Sequence, residues 1–410
     1  MNKSIVVTGM GCISSAGNNL AEFSQSLFAG STNDCTNIAP ITLFDPSELS
    51  THIAAEVKHY HPTEHFNKAQ LKQLDRYAQF SLIASEEAVN HAGIEFSSPL
   101  AARSCVVIGS SIGGQETIEQ AYRQYYLQAK KRPHPFTVPK LLPSAASSQI
   151  SMKYGITGPS FATSSACSSS GHAIAMAALM LRAGMVDVAI VGGAEACITL
   201  GNFQAWEGLR VLSNDTCRPF SADRSGLVIG EGAGSLVLET KEHAQQRNAV
   251  IHAELVGIGM SSDAHNIVQP LMQGAKNAMS AALLDANLQT RQINYINAHG
   301  SGTIQNDSTE TLAIKALFQQ YADKLYVSST KAIHGHVLGA GAAIESIATI
   351  LALQNQQLPA TRNYRSADPL YDLNYIVNYP ITTQLDYAMS NSFAFGGQNC
   401  SLIYKNVKPI

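Results

Sequence analysis

The chain has 410 residues, of which 45% are hydrophobic and only 14% charged, with a formal net charge of −3. So long a chain with so few charges can bury a large core and subunit-interface surface, in two or more domains or one large α/β body. The near-neutral balance gives no general attraction to nucleic acid or to membranes, and no apolar run approaches the roughly 20 residues that span a bilayer.

In chain order, Met1-Asn2-Lys3-Ser4 leads directly into Ile5-Val6-Val7-Thr8-Gly9, too short and too glycine-broken for a signal peptide. Residues 4–17 are predicted to be a buried strand closed by turns at Gly9, Gly11 and Gly17. A helix is expected over 71–92, a strand over 104–109 with its turn at 110–114, and an exposed basic loop over 130–135. Residues 160–162 and 186–191 are expected strands, the latter ending in a turn at Gly192-Gly193-Ala194-Glu195, and 235–239 closes a first half. The pattern then begins again. Strands are expected over 252–257, 293–298 and 325–327, and helices over 274–286, 308–319 and 339–354. A closing hairpin-like pair is expected around Ile376 and Ser401–Tyr404. Uncharged strands alternating with helices indicate largely parallel sheets covered on both faces, in two successive α/β halves over 1–250 and 251–410. The seven cysteines (Cys12, Cys35, Cys105, Cys167, Cys197, Cys217, Cys400) are odd in number and lack a CxxC pair. That argues against a disulfide framework or zinc site and for a reducing, cytoplasmic setting.

Four stretches carry chemistry. Ser164-Ser165-Ala166-Cys167-Ser168-Ser169-Ser170-Gly171-His172 reads as a strand, a tight turn carrying Cys167, and a helix whose amino end points at the sulfur and favours the thiolate. The ordinary alternative is a buried, inert cysteine. Asn297-Ala298-His299-Gly300-Ser301-Gly302-Thr303 places His299 at a strand end in a hydroxyl-rich loop, where α/β folds carry active-site groups. Ser328–His336 follows another strand with Lys331, His334 and His336; the two histidines read as metal ligands only if a carboxylate or thiol completed the set, and none does. Asn391–Asn399 is a fourth glycine loop, able to expose backbone N–H groups or to serve as a plain turn. Each has a structural reading when taken alone. Together, a cysteine turn and two glycine-flanked histidine turns on a duplicated frame point to nucleophilic catalysis.

These motifs, in order across nearly the whole chain, resemble the β-ketoacyl-acyl carrier protein synthases of the elongating, Cys-His-His type. The resemblance implies the thiolase fold, α/β and duplicated in five α-β-α-β-α layers, and usually a dimer. Carried over by position, Cys167 accepts the acyl group, the N–H groups of Cys167 and Phe395 form the oxyanion hole, and His299 and His336 stabilise the enolate of a decarboxylated malonyl thioester. Lys331, with Glu345 as partner, orients the histidines; Ser301 and Thr303 bind the pantetheine arm; Ile112, Trp206 and Phe395 line the acyl pocket. The chemistry needs no resident cofactor, since phosphopantetheine arrives on the carrier, and no metal.

Ser301-Gly302-Thr303 stands in place of the usual Thr-Ser-Thr, and His334 stands where a threonine is common. His-Gly-His there is more like the ketosynthases of nodulation-factor and aryl-polyene pathways. Trp206, the only tryptophan, is expected either to shorten the pocket or stack on a flat chain, or to be a plain core or interface aromatic. Docking of an acidic carrier protein is expected at Arg210, the best positional match, and at Lys68, Lys72, Lys130, Lys131 and Arg132. Other readings are a chain-length-determining partner subunit, which typically lacks the nucleophile this chain keeps, and a thiolase. A thiolase wants a second catalytic cysteine in the carboxy-terminal half, and Cys400 lies outside the expected loop. The dimer itself is either of identical chains or with a homologous chain-length factor.

Overall fold

The computed structural model describes residues 3–30 and 37–407; Cys35 lies outside them. Eleven strands form one sheet. The amino-terminal half supplies β1 (Ile5–Ser14), β2 (Ser104–Gly109), β3 (Ser160–Thr163), β4 (Val188–Glu195) and β5 (Gly232–Thr240). The carboxy-terminal half supplies β6 (Ala253–Ser262), β7 (Tyr295–Asn297), β8 (Tyr326–Ser328), β9 (Asn374–Tyr375), β10 (Tyr387–Ala394) and β11 (Gln398–Lys405). Their spatial order is β9-β8-β7-β10-β11-β6-β1-β5-β4-β2-β3.

The order exposes an internal repeat. Setting aside the edge strand β9, each half arranges its five strands as third, second, fourth, fifth, first, with β1 and β6 meeting in the middle. They pair antiparallel through Ile5↔Leu255, Val6↔Glu254 and Val7↔Ala253. In both halves the outer three strands are parallel and the next two pairings antiparallel. The expectation of largely parallel sheets is therefore corrected to a mixed sheet. Strands buried on both faces carry the same apolar composition whichever way they run, so composition does not report direction.

Seven helices complete the layers: α1 (Arg76–Ala92), α2 (Ala145–Tyr154), α3 (Ser169–Arg182), α4 (Leu200–Gly208), α5 (Met272–Asp285), α6 (Ile304–Phe318) and α7 (Gly341–Asn355). Helices α1 and α2 cover the outer face of the first half, and α5, backed by α6, covers that of the second. Helices α3 and α7 touch each other in the middle layer, packed on strands of both halves. The result is the five-layer α-β-α-β-α thiolase fold. Helix α7 suits that place: residues 341–353 are all buried, as expected of a helix apolar on every side. Its one charged residue is Glu345. No helix among the described residues is long and apolar enough to cross a membrane.

Several local expectations are corrected. Gly9 and Gly11 are not turns; β1 runs through both, because a Cβ at either would stand 2.1 Å from the carbonyl oxygen of Ala88 or Ala84 on α1. They are glycine so that helix and strand can approach. Helix α1 starts at Arg76 and not at residue 71, since Asp75 caps it by accepting from the Tyr77 N–H. The stretch Gly192–Glu195 is strand and not turn. The closing hairpin joins β11 to β10, not to Ile376; the neighbouring Asn374–Tyr375 pairs with β8.

Candidate active site

The Cys167 turn comes from the end of β3. Ala166 lies in left-handed space at φ 48°, which costs a residue with a Cβ roughly 1–2 kcal/mol. Three donors hold its carbonyl: the Ser169 N–H (3.1 Å), the Ser169 Oγ (2.6 Å) and the Ser111 Oγ (2.9 Å). This turn sets Cys167, buried at 7% exposure, just ahead of the first residue of α3. Backbone N–H groups of Phe395 and of Cys167 itself reach the sulfur and favour the thiolate. Burial outweighs them and pushes the Cys167 thiol up to about 11. The resting sulfur therefore keeps its proton despite these donors.

The second half brings the histidines. His336 Nε2 lies 3.1 Å from Cys167 Sγ. Its backbone is clasped by the first half, its N–H donating to the Val228 carbonyl (2.7 Å) and its carbonyl accepting from the Gly230 N–H (2.9 Å). His299 crosses it nearly at right angles, with ring centroids 5.4 Å apart. Lys331 Nζ stands 3.3 Å from His299 Nδ1 and pairs with Glu345. A lysine donating to Nδ1 leaves the His299 proton on Nε2. Burial and the Lys331 cation push both histidines well below the ordinary value, so both are neutral near pH 7. Burial raises Glu345 to about 7 against the pull of Lys331.

Three further residues hold this cluster, and sequence reading assigned a role to none of them. Glu310 accepts from the N–H groups of His299 (2.9 Å) and Gly300 (2.8 Å). Ser329 donates to the Gly300 carbonyl at 2.7 Å and accepts from the Lys331 N–H, tying the two histidine loops together. Asn391, fully buried on β10, donates to Glu310 at 3.4 Å. A signal for Glu310 was present: Asp307, Glu310 and Thr311 make a polar, fully buried i, i+3, i+4 face on α6.

Cys167, His299, His336, Ser301, Thr303, Phe395 and Trp206 all face one cleft of 310 Å³. Ser301 and Thr303 bond to each other at 2.9 Å. Trp206, half-buried against a hydrophobic cluster, stacks on Phe395 at 5.8 Å, and exposed Arg210 lines the same cleft. Ile112 is 37% exposed and does not line the cleft. Lys72 and Lys130 line a separate groove with Lys140 and His134, while Lys68, Lys131 and Arg132 are simply exposed. His334 is buried, with Nε2 3.0 Å from Thr330 Oγ1, and does not line the cleft. Among the described residues no three His, Cys, Asp or Glu are placed to hold a metal ion. Cys400 is buried beside Gly171, outside the cleft.

Comparison with known proteins agrees in extent. A family model described as Beta-ketoacyl synthase, N-terminal domain, matches residues 2–244, and the corresponding C-terminal domain matches residues 252–365. The chain is 42% identical to Nodulation protein E of Rhizobium leguminosarum bv. trifolii, over 99% of this chain and 100% of that protein. It is 39% identical to 3-oxoacyl-[acyl-carrier-protein] synthase 2 of Staphylococcus aureus (strain COL), over 98% of each. Its fold superposes on the ishigamide ketosynthase/chain length factor with a TM-score of 0.94 at 30% identity, covering both chains fully.

Proposed function

The chain belongs to the β-ketoacyl synthase family and is a condensing acyltransferase of chain elongation, and on that premise we propose that Cys167 carries the acyl group while His299 and His336 activate the malonyl unit. The observation that carries this reading is the 3.1 Å approach of His336 Nε2 to a sulfur presented on a strained turn. Such strain persists only where surrounding structure enforces it, and it gathers at functional sites.

The residues divide the chemistry between them. As Sγ attacks the thioester carbonyl, His336 Nε2 takes the thiol proton and passes it to the departing carrier thiol. The N–H groups of Cys167 and Phe395 hold the oxyanion between the two events. Malonyl thioester then enters, and the electrons of its breaking C–CO₂ bond move into an enolate whose oxygen accepts from His299 and His336. His336 can serve in both steps because its Nδ1 is unpartnered, leaving the proton free to sit on either nitrogen. The carbanion attacks the acyl-Cys167 carbonyl, the C–S bond breaks, and Sγ takes up a proton from solvent, the one proton that the decarboxylating condensation consumes overall. All acyl groups arrive on phosphopantetheine, so no resident cofactor enters.

An acyl carrier protein is the proposed donor, docking at the cleft mouth. Arg210 has φ 54° directly after α4, where glycine is the common choice. An arginine kept there at an energetic cost supports a functional use of its charge. Arg210→Glu is expected to raise KM for acyl carrier about 10-fold at low salt and to flatten the loss of activity with added salt. A salt profile identical to that of wild type would count against this docking site.

Trp206, stacked on Phe395 at the same mouth, is proposed to set which acyl chains pass. Trp206→Ala is expected to shift kcat/KM between slender and bulky acyl donors by on the order of 10-fold; an unchanged preference would remove the idea. The sheet ends in the unpaired edge of β3, near exposed Met152 and the exposed Met176 and Leu179 of α3. That edge suits a second thiolase-fold subunit, either a copy of this chain or a chain-length-factor relative. Sedimentation of the purified chain separates the two: a dimer alone favours the first, a monomer the second.

A further inference from the structure

Glu195 ends β4 with no exposure to solvent. One carboxylate oxygen accepts from the N–H groups of Ser111 (2.7 Å) and Gly339 (3.0 Å). The other accepts from Ser110 Oγ (3.1 Å), the Ile112 N–H (3.3 Å) and Cys197 Sγ (3.5 Å). The two sides of this bridge lead to different catalytic groups. Ser111 Oγ holds the carbonyl of Ala166, the strained residue before Cys167. Gly339 lies three residues after His336, in the turn Leu338–Ala340 that opens α7. The contact is as close as backbone allows: a Cβ on Gly339 would stand 2.4 Å from the Ser111 nitrogen and 2.6 Å from the Glu195 carboxylate.

We propose that Glu195 is a positioning residue that clamps the Cys167 turn of one half to the His336 turn of the other and so fixes the sulfur-to-imidazole separation. The inference rests on the reading of Cys167 and His336 as nucleophile and base. It also accounts for a carboxylate at the centre of the molecule that takes no part in the chemistry. Two oxygens can satisfy several converging donors at once, whereas a smaller or neutral side chain leaves some of those buried N–H groups without acceptors.

The test is the rate at which acyl-carrier thioester acylates each titratable Cys167, followed by intact-protein mass. Glu195→Asp keeps the charge but draws the carboxylate back by about 1.5 Å, one C–C bond. Gly339→Ala drives the same junction apart from the other side. Both are expected to slow acylation per site on the order of 100-fold, the scale of a misplacement near 1 Å, with KM for acyl carrier changed less than about 2-fold. A role in stability alone would reduce the number of titratable sites and leave the rate per site unchanged, and that result would overturn the proposal. If Glu195→Asp does not fold, Gly339→Ala decides by the same criterion. Cys167→Ala in the same assay separates the two levels. A mass gain there would sink the nucleophile assignment, whereas no gain there together with wild-type rates in both junction variants would sink the clamp alone.

Discussion

Cys167→Ala is expected to abolish condensation while leaving decarboxylation of malonyl-carrier measurable, and His336→Ala is expected to damage both. The difference follows from which atoms each step uses. Decarboxylation needs hydrogen-bond donors at the thioester oxygen, the role proposed for His299 and His336 of the second half. The sulfur becomes necessary only when an acyl group must be held for attack. Loss of one such donor typically costs about 10²–10³ in rate, and loss of the group that takes the thiol proton costs about 10²–10⁴. The proton matters because burial holds the Cys167 thiol up at about 11, so spontaneous ionisation near pH 7 is rare. Release of labelled CO₂ and formation of acyl-enzyme report the steps separately. A His336→Ala enzyme that decarboxylates at the wild-type rate would remove that residue from the enolate site. The pH dependence has a definite sign as well. The proposed base role of His336 needs its neutral form, and burial holds its pKa well below the ordinary histidine value. Acylation is therefore expected to stay level as pH falls from 8 to 6 and to drop only below that.

Lys331→Met is expected to cost both stability and rate. Lys331 and Glu345 are each about 1% exposed, and removing one partner of a buried pair leaves an uncompensated charge at about 3–5 kcal/mol. Glu345 relieves part of this by taking a proton. Already at about 7 beside the cation, it rises further without it, so its folded pKa stands above its unfolded value of about 4.3. The folded state then holds a proton that the unfolded state releases, and stability falls as pH rises through that window. Denaturant melts should accordingly show the variant closer to wild type at pH 5 than at pH 8. The double variant Lys331→Met/Glu345→Leu should recover much of the stability, because a buried pair replaced by apolar groups is often neutral. Its rate should remain low, since His299 Nδ1 has lost the donor that keeps the proton on Nε2. If the double variant regained activity together with stability, Lys331 would be a structural cation only.

The elements that carry the candidate site were legible because each sits at a strand end marked by glycine. The strand Ser104–Gly109 matched its predicted bounds, and the repeated strand–helix rhythm anticipated a duplicated layered architecture, though not the strand order the halves share. Direction and contact were less legible. The run Gly192–Glu195 looked like a turn because two glycines usually make one, yet β4 continues through it: a Cβ on Gly192 would lie 2.0 Å from the Gly234 carbonyl of β5. Glu195 was therefore read as a turn residue when it is a buried hub. Glu310 and Ser329 were missed for a related reason. Their partners are backbone N–H and C=O groups of loops, and side chain-to-backbone bonds leave no pairing pattern in sequence. Position along the chain could not say which of the proposed docking cations share a surface: Arg210 lines the cleft of Cys167, while Lys72 and Lys130 share another groove.

The central claim is that acyl chains are carried on Cys167, and intact-protein mass after mixing the enzyme with a panel of acyl-carrier proteins tests it most directly. The expected result is a single acyl-sized gain, mapped by peptide digestion to the segment containing Cys167, with the preferred acyl group identifying the pathway. No gain with any donor, while a co-purifying homologous subunit is acylated instead, would contradict it and make this chain the non-catalytic partner.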